Sequence, residues 1–215
     1  YEIVRSRGLG DVYKRQPAGP SEVLVVADYT ANPEFVAADL LSQAEHGSDS
    51  QSMLVSTSEQ LIQDALAAVE RQLEHLPRKE MAMQSLKSSA AILVDSIDRA
   101  MEVSNLYAPE HLILSVEDYH GAASKVIHAG SVFLGSYSPE SVGDYTSGTN
   151  HTLPTAAHVS SWSGVSLLSF LRTITFQELT PEGLKSLADA TVTIARTEGL
   201  EAHARAVEVR LGNNE

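Results

Sequence analysis

Residues 22–28 read EVLVVAD, a short run of apolar and mostly β-branched residues, and this stretch decides the fold. Such a run is typical of a buried strand. Apolar residues at helical spacing follow over 33–46, and a second strand-like run, SMLVST, follows at 52–57. The chain therefore begins its ordered part as strand, helix, strand.

The same alternation continues for most of the chain. Further strand-like runs, each followed or separated by helical patterns such as the one over 58–75, lie at 90–95, 112–116 and 130–135. Strands that alternate with helices predict an α/β domain with a largely parallel sheet over 17–165. In such domains the functional face lies at the carboxyl ends of the strands, and we expect it there.

The pattern of the last part, 166–215, predicts a small and mainly helical domain. Thr180 is a typical N-cap, and Pro181 suits the first turn of a helix. Gly199 interrupts the helical spacing, and a last helix begins in LEAHARAVEVRL.

Residues 1–16, YEIVRSRGLGDVYKRQ, differ from the rest of the chain. They are rich in positive charge, and GLGDVY lacks both the third glycine and the preceding strand of a dinucleotide-binding loop. DVYKRQ back-translates to GAT GTG TAT AAG AGA CAG, which resembles a transposon-end adapter used in sequencing libraries. We therefore expect 1–16 to be a non-native segment and exclude it from fold reasoning.

Composition limits the classes of partner. The 215 residues carry 15 Lys and Arg against 28 Asp and Glu, a net charge of −13, which argues against nucleic acid and anionic membranes. The absence of cysteine excludes disulfides, thiolate metal ligands and a cysteine nucleophile. No apolar run is long enough to cross a membrane and no signal peptide is visible, so a cytoplasmic location is expected.

Gln43 and His46 crowd the end of the first predicted helix, where they are spaced to share a face and bind one ion. A simpler interpretation stays open, because polar residues collect at helix C-termini and Gly47 is a usual helix stop. Glu110 and His111 follow Pro109 at the entry to a strand, as an acid beside an imidazole suited to acid–base work.

The segment 135–164 is rich in Ser, Gly, Thr and Pro, has little periodicity, and contains Asp144 and His151, so we expect it to be functional. Glu198 and His203 form a further pair near the C-terminus. The remaining histidines have no such company and are interpreted as ordinary surface or core residues: His75, His120, His128 and His158.

Five motifs occur in an order that resembles the histidinol dehydrogenase family: AGPSEVLVVAD, DLLSQAEHG, APEHL, GSVFLGSYSPESVGDYTSGTNHTLPT and EGLEAHARAV. The resemblance runs from about residue 17 almost to the C-terminus. It implies a homodimeric enzyme that oxidises L-histidinol to L-histidine through histidinal, with NAD⁺ and zinc. It also implies that 17–165 is an incomplete Rossmann-like domain and that 166–215 is a dimerisation domain.

The resemblance also implies a role for each matching residue. The zinc ligands, for one ion per subunit, would be Gln43, His46, Asp144 and His203 of the partner subunit. Because this donor set holds only nitrogen and oxygen, Mn²⁺ would also suit it. Glu110 and His111 would be the proton acceptors. Substrate would contact Ser21, Gln43, His46, Glu110, His111, Asp144, His151, Glu198 and His203.

The family also carries a long N-terminal half that includes most of the NAD⁺ site, and no counterpart of it is found here. We therefore expect this polypeptide alone to be inactive and to expose a sheet edge. Two other functional classes stay open. One is a metal-dependent hydrolase or lyase that uses Glu110 as a base, although no G-x-S-x-G or H-E-x-x-H motif supports it. The other is a non-catalytic binding module.

Overall fold

A computed structural model describes residues 19–212. The segment 1–16, predicted to be non-native, lies outside the described residues. The chain divides into two compact units, the first ending at Leu171 and the second beginning at Arg172. The sequence predicted the corresponding boundary at 166.

The first unit contains a five-stranded sheet in which every pairing is parallel, in the order β3-β2-β1-β4-β5. The predicted α/β class with its parallel sheet is confirmed. The strands are β1 Glu22–Ala27, β2 Gln51–Ser56, β3 Ala90–Leu93, β4 His111–Ser115 and β5 Ser131–Leu134.

Helices connect the strands on both faces of the sheet, and side chains cap several of them. Asn32 accepts a hydrogen bond from Glu34 N–H at the start of the first helix, where Pro33 occupies the first turn. Ser58 and Ser96 cap two later helices in the same way. The helices of this unit are α1 Pro33–Ala44, α2 Glu59–Leu73, α3 Lys79–Leu86, α4 Ile97–Tyr107, α5 Tyr119–Ala123 and α6 Glu140–Tyr145.

The central position of β1 in the sheet explains why its sequence is apolar throughout. Val23 and Val25 pack on one face among residues of α1 and α2, whereas Leu24 and Val26 pack on the other face among residues of α4. All four side chains are fully buried. A central parallel strand covered on both faces needs a continuous apolar run rather than alternation.

The helix α6 is a difference from the sequence analysis, which treated 135–164 as a stretch without elements of its own. Its interior is poor in large apolar residues, but Gly143 lies so close to Phe133 of β5 that an added Cβ would meet the ring at 2.4 Å. Close approach of backbone to an aromatic ring therefore anchors this helix, and this contact has no signature in apolar periodicity.

The second unit is helical, with α7 Pro181–Thr197 and α8 Glu201–Glu208. Thr180 accepts a hydrogen bond from Gly183 N–H at 3.1 Å and begins α7 as predicted. Gly199, at φ +75°, separates the two helices in a backbone conformation that favours glycine. Within residues 19–212, no helix combines the length and apolarity needed to cross a membrane.

Candidate acid–base and metal site

The candidate site residues of the first unit gather at the amino-terminal edge of the sheet. Val23 near the start of β1 pairs with His111 at the start of β4, and Ser21 and Glu110 precede these strands. The expectation that the site would lie at the carboxyl ends of the strands was wrong. In a parallel sheet each helix returns the chain to the amino-terminal edge, so residues between a helix and the next strand collect there.

Glu110 is fixed by its neighbours on both sides. Ala108 ends α4 in the left-handed conformation and Pro109 cannot continue the helix. The Glu110 carbonyl accepts a hydrogen bond from Ser131 N–H at 2.9 Å, and its carboxylate accepts one from Glu22 N–H at 3.1 Å. Burial raises the pKa of Glu110 to about 7, against the lowering effect of hydrogen bonds from the Glu22 N–H and the Ser21 side chain. A carboxyl poised near neutrality can give or take a proton.

His111 is buried, and both of its ring nitrogens lack a hydrogen bond of normal geometry within the described part of the chain. Burial lowers its pKa to about 4, although the carboxylate of Asp144 opposes the shift. The imidazole is therefore neutral near pH 7 and is able to accept a proton.

Two residues of α6 approach the His111 ring from different sides. Glu140 Oε1 lies 3.3 Å from Nδ1, and Asp144 Oδ1 lies 3.9 Å from Nε2. Ligand atoms of the three side chains fall within 4.8 Å of one another, as metal ligands do. Burial, and then the neighbouring carboxylates of Asp144 and Glu110, raise the pKa of Glu140 to about 9.

Glu140 was missed by the sequence analysis. The signal that could have identified it is its spacing of four residues from Asp144, which places both carboxyl groups on one face of a helix. Because no helix was predicted over this stretch, the four-residue spacing could not indicate that the two carboxyl groups lie together.

Gln43 and His46 have side chains of the kind that bind metals. The sequence analysis placed them on one face of a helix, whereas only Gln43 lies within the helix. The helix α1 ends at Ala44, so Gln43 lies in its last turn and His46 follows beyond the Glu45 cap. Gln43 is fully buried, and both atoms of its amide lack a hydrogen-bond partner among the described residues. An unpaired buried amide is costly, and a bound cation or an ordered water would offset that cost.

The ring of His46 is oriented by the chain itself. Its Nδ1 lies 3.0 Å from the Ser42 carbonyl oxygen, so a proton on Nδ1 would leave the lone pair of Nε2 available to a metal ion. This arrangement is typical of histidines that bind metal, whose second nitrogen donates to a carbonyl or carboxylate. A coulombic interaction with His46 contributes to the lowered pKa of His111, so the two rings influence each other electrostatically.

The other predicted site residues lie in separate places. His151 is exposed in the segment after α6, and a coulombic interaction with it contributes to the lowered pKa of His111. Glu198 caps the C-terminus of α7, His203 lies in α8, and both are exposed in the second unit. Their roles stay predictions.

Glu22 is a second residue that the sequence analysis did not select. Its carboxylate accepts a hydrogen bond from Ala156 N–H at 3.0 Å, while its own N–H donates to Glu110. Ala156 and Ala157 both have positive φ, a strained conformation for alanine. Glu22 therefore fixes the segment after His151 against the start of β1.

The fold and the site together define a class of protein. It is an α/β protein that carries a candidate acid–base pair beside candidate metal ligands. The family model for histidinol dehydrogenase matches residues 8–211 of this chain. The chain belongs to the histidinol dehydrogenase family.

Individual relatives agree with this assignment. Histidinol dehydrogenase from Bacteroides thetaiotaomicron is 59% identical over 203 residues, which cover 94% of this chain and 47% of the relative. The enzyme of the same name from Pseudoalteromonas translucida is 57% identical over 195 residues, which cover 91% of this chain and 45% of the relative. The chain thus spans about half the length of the curated relatives it matches.

A solved structure supports the fold directly. The crystal structure of histidinol dehydrogenase from Elizabethkingia anophelis superposes with a TM-score of 0.88 at 57% sequence identity. The match covers 91% of this chain and 45% of the crystallised chain.

Proposed function

We propose that this chain supplies the metal-binding and acid–base part of a histidinol dehydrogenase, which oxidises L-histidinol to L-histidine in two steps through histidinal. The reaction would consume one water and two NAD⁺ and release two NADH and three protons. Its place would be the last oxidations of histidine biosynthesis in the cytoplasm. The observation that carries the proposal is the buried Glu110–His111 pair beside orphaned donors, in a chain of this family.

The donors fit a divalent cation, zinc by family resemblance or Mn²⁺. Gln43, His46 and Asp144 would hold it, together with His203 of the partner subunit in a homodimer. Among residues 19–212 the buried amide of Gln43 has no hydrogen-bond partner, and the contact of His46 with the Ser42 carbonyl involves Nδ1 rather than Nε2. A bound cation would supply Lewis-acid polarisation and a template for the substrate imidazole and amine.

The described residues do not fit NAD⁺. No G-x-G-x-x-G loop follows any strand within residues 19–212, and NAD⁺, the hydride acceptor, is therefore assigned to the length of the relatives that this chain does not span. No step below depends on how that site is built.

The residues of this chain would handle the protons. His111, neutral because it is buried, would accept the alcohol proton in the first oxidation. In the second, Glu110 would take a proton from the water that adds to the aldehyde, and His111 would again accept the hydroxyl proton. Ser21, His151 and Glu198 would contact the substrate.

A fusion protein tests the proposal. The portion of the Bacteroides thetaiotaomicron relative that this chain does not cover is placed ahead of Pro17, and NADH formation is followed with L-histidinol. We expect two NADH for each L-histidine formed and no turnover by the 215-residue chain alone. A folded and zinc-loaded fusion that does not oxidise histidinol would contradict the proposal. A hydrolase or lyase would instead change histidinol without NAD⁺.

A further inference from the structure

The first observation is a contact between two buried side chains from distant parts of the chain. Glu140, in the first turn of α6, places Oε1 3.3 Å from Nδ1 of His111 at the start of β4. Their side chains are only 2% and 5% exposed, respectively. Glu140 makes no ion pair with Lys or Arg among residues 19–212, so the imidazole is its polar neighbour at this oxygen.

The second observation is that the contact distinguishes the two ring nitrogens. Nδ1 faces carboxyl groups, with Glu140 at 3.3 Å and Glu110 at 3.8 Å. Nε2 faces Asp144, which is a proposed metal ligand, at 3.9 Å. A hydrogen bond at this contact would occupy Nδ1. An ionised Glu140 would accept the Nδ1 proton, whereas a protonated Glu140 would donate to Nδ1 and leave the ring proton on Nε2.

The third observation is the position of the ring between rigid elements. The ring of Phe133 in β5 lies 6.0 Å from the His111 ring, centroid to centroid, and Gly143 packs α6 closely against Phe133. The helix that carries Glu140 is thus pinned to the strand beside His111. A carboxyl group buried at this cost is typical of functional positions rather than of stabilising ones.

We propose that Glu140 is a positioning residue, which holds the His111 ring through Nδ1 so that Nε2 is the nitrogen that works on the substrate. This inference rests on the proposed function. Nε2 accepts a proton only when Nδ1 carries the ring proton and Glu140 is ionised, as in other carboxylate–histidine pairs of acid–base sites. Burial and the neighbouring carboxylates oppose the ionisation of Glu140, and the positive charge of a cation at the proposed metal site would favour it. Nothing in the family assignment reported above assigns this role to Glu140.

Nitrogen-15 NMR of labelled histidine in the zinc-loaded 215-residue chain tests the positioning directly. We expect His111 to show one fixed tautomer in the unsubstituted chain and in Glu140→Gln, whose amide can still contact Nδ1. In Glu140→Met, which keeps the length without the polar group, we expect shifts averaged between tautomers. Averaged shifts in the unsubstituted chain, or a tautomer unaffected by Glu140→Met, would overturn the inference.

Kinetics of the fusion protein give a second measurement. We expect Glu140→Met to lower kcat by about 10–100-fold with KM within about threefold, and Glu140→Gln to recover most of that loss. The exposed Glu102→Gln is the matched control. A structural role alone would lower the thermal midpoint without changing kcat of the folded enzyme, and that result would overturn the inference. If the fusion does not oxidise histidinol at all, the proposed function fails, whereas the NMR measurement still decides the contact.

Discussion

Replacing His111 with asparagine is expected to lower kcat for histidinol oxidation in the fusion protein by about 10²–10⁴-fold. The ring is buried and neutral near pH 7, and it lies in contact with the carboxyl groups of Glu110, Glu140 and Asp144. Asparagine keeps a polar side chain of similar reach but cannot accept a proton. Steady-state NADH formation measures the effect.

The matched control for this substitution is His75→Asn, at an exposed histidine beyond the end of α2. We expect the control to retain full turnover and the same thermal midpoint. Turnover of His111→Asn within tenfold of the unsubstituted fusion would show that another group accepts the substrate proton.

Replacing Asp144 with alanine is expected to weaken zinc binding by more than about 100-fold. Loss of an outer partner of a metal ligand already costs about 10–100-fold in affinity, and Asp144 is proposed as a direct ligand. Asp144 is the anionic member of the donor set, so its removal also takes away the charge that attracts the cation. Competition with a chromophoric chelator measures the affinity.

Asp64→Ala is the control, because Asp64 is an exposed aspartate on α2 that accepts only a hydrogen bond from the nearby Gln60. We expect its zinc affinity to equal that of the unsubstituted chain. An affinity for Asp144→Ala within threefold of the unsubstituted value would remove Asp144 from the metal site.

The strands β1 and β4 were predictable because burial on both faces requires a continuous apolar run that is visible in the local sequence. β1 must be apolar at every position, and EVLVVAD shows this without knowledge of its partners. The same holds for the caps Thr180 and Ser58, whose hydrogen bonds reach only three residues along the chain. These features depend on residues that are close together in the sequence, so sequence patterns can predict them.

Glu140 was not predictable for the opposite reason. The helix α6 has only six residues, too few for an apolar period, and a close approach of Gly143 to Phe133 holds it in place. The contact of Glu140 with His111 joins two elements that are distant in sequence. Such a contact exists only after the sheet has formed.

The edge of the sheet that carries the site was also predicted wrongly. The general preference for carboxyl ends concerns ligands bound in the crevice where the strand order reverses. Here Asp28, at the end of β1, accepts hydrogen bonds from Thr30 N–H and Glu117 N–H, which link the ends of β1 and β4. The functional candidates instead follow α1 and α4, at the opposite edge.

The most direct test of the central claim is an anomalous difference map from crystals of the 215-residue chain grown with zinc. The data are collected at the X-ray absorption edge of zinc. The account predicts a peak in contact with Gln43, His46 and Asp144, with Glu110 and His111 beside it but not bound to it. The compact group of His111, Glu140 and Asp144 is the competing position within the described residues. A peak bound by that group, with Gln43 and His46 out of reach, would contradict both the metal site and the proton-accepting role of His111.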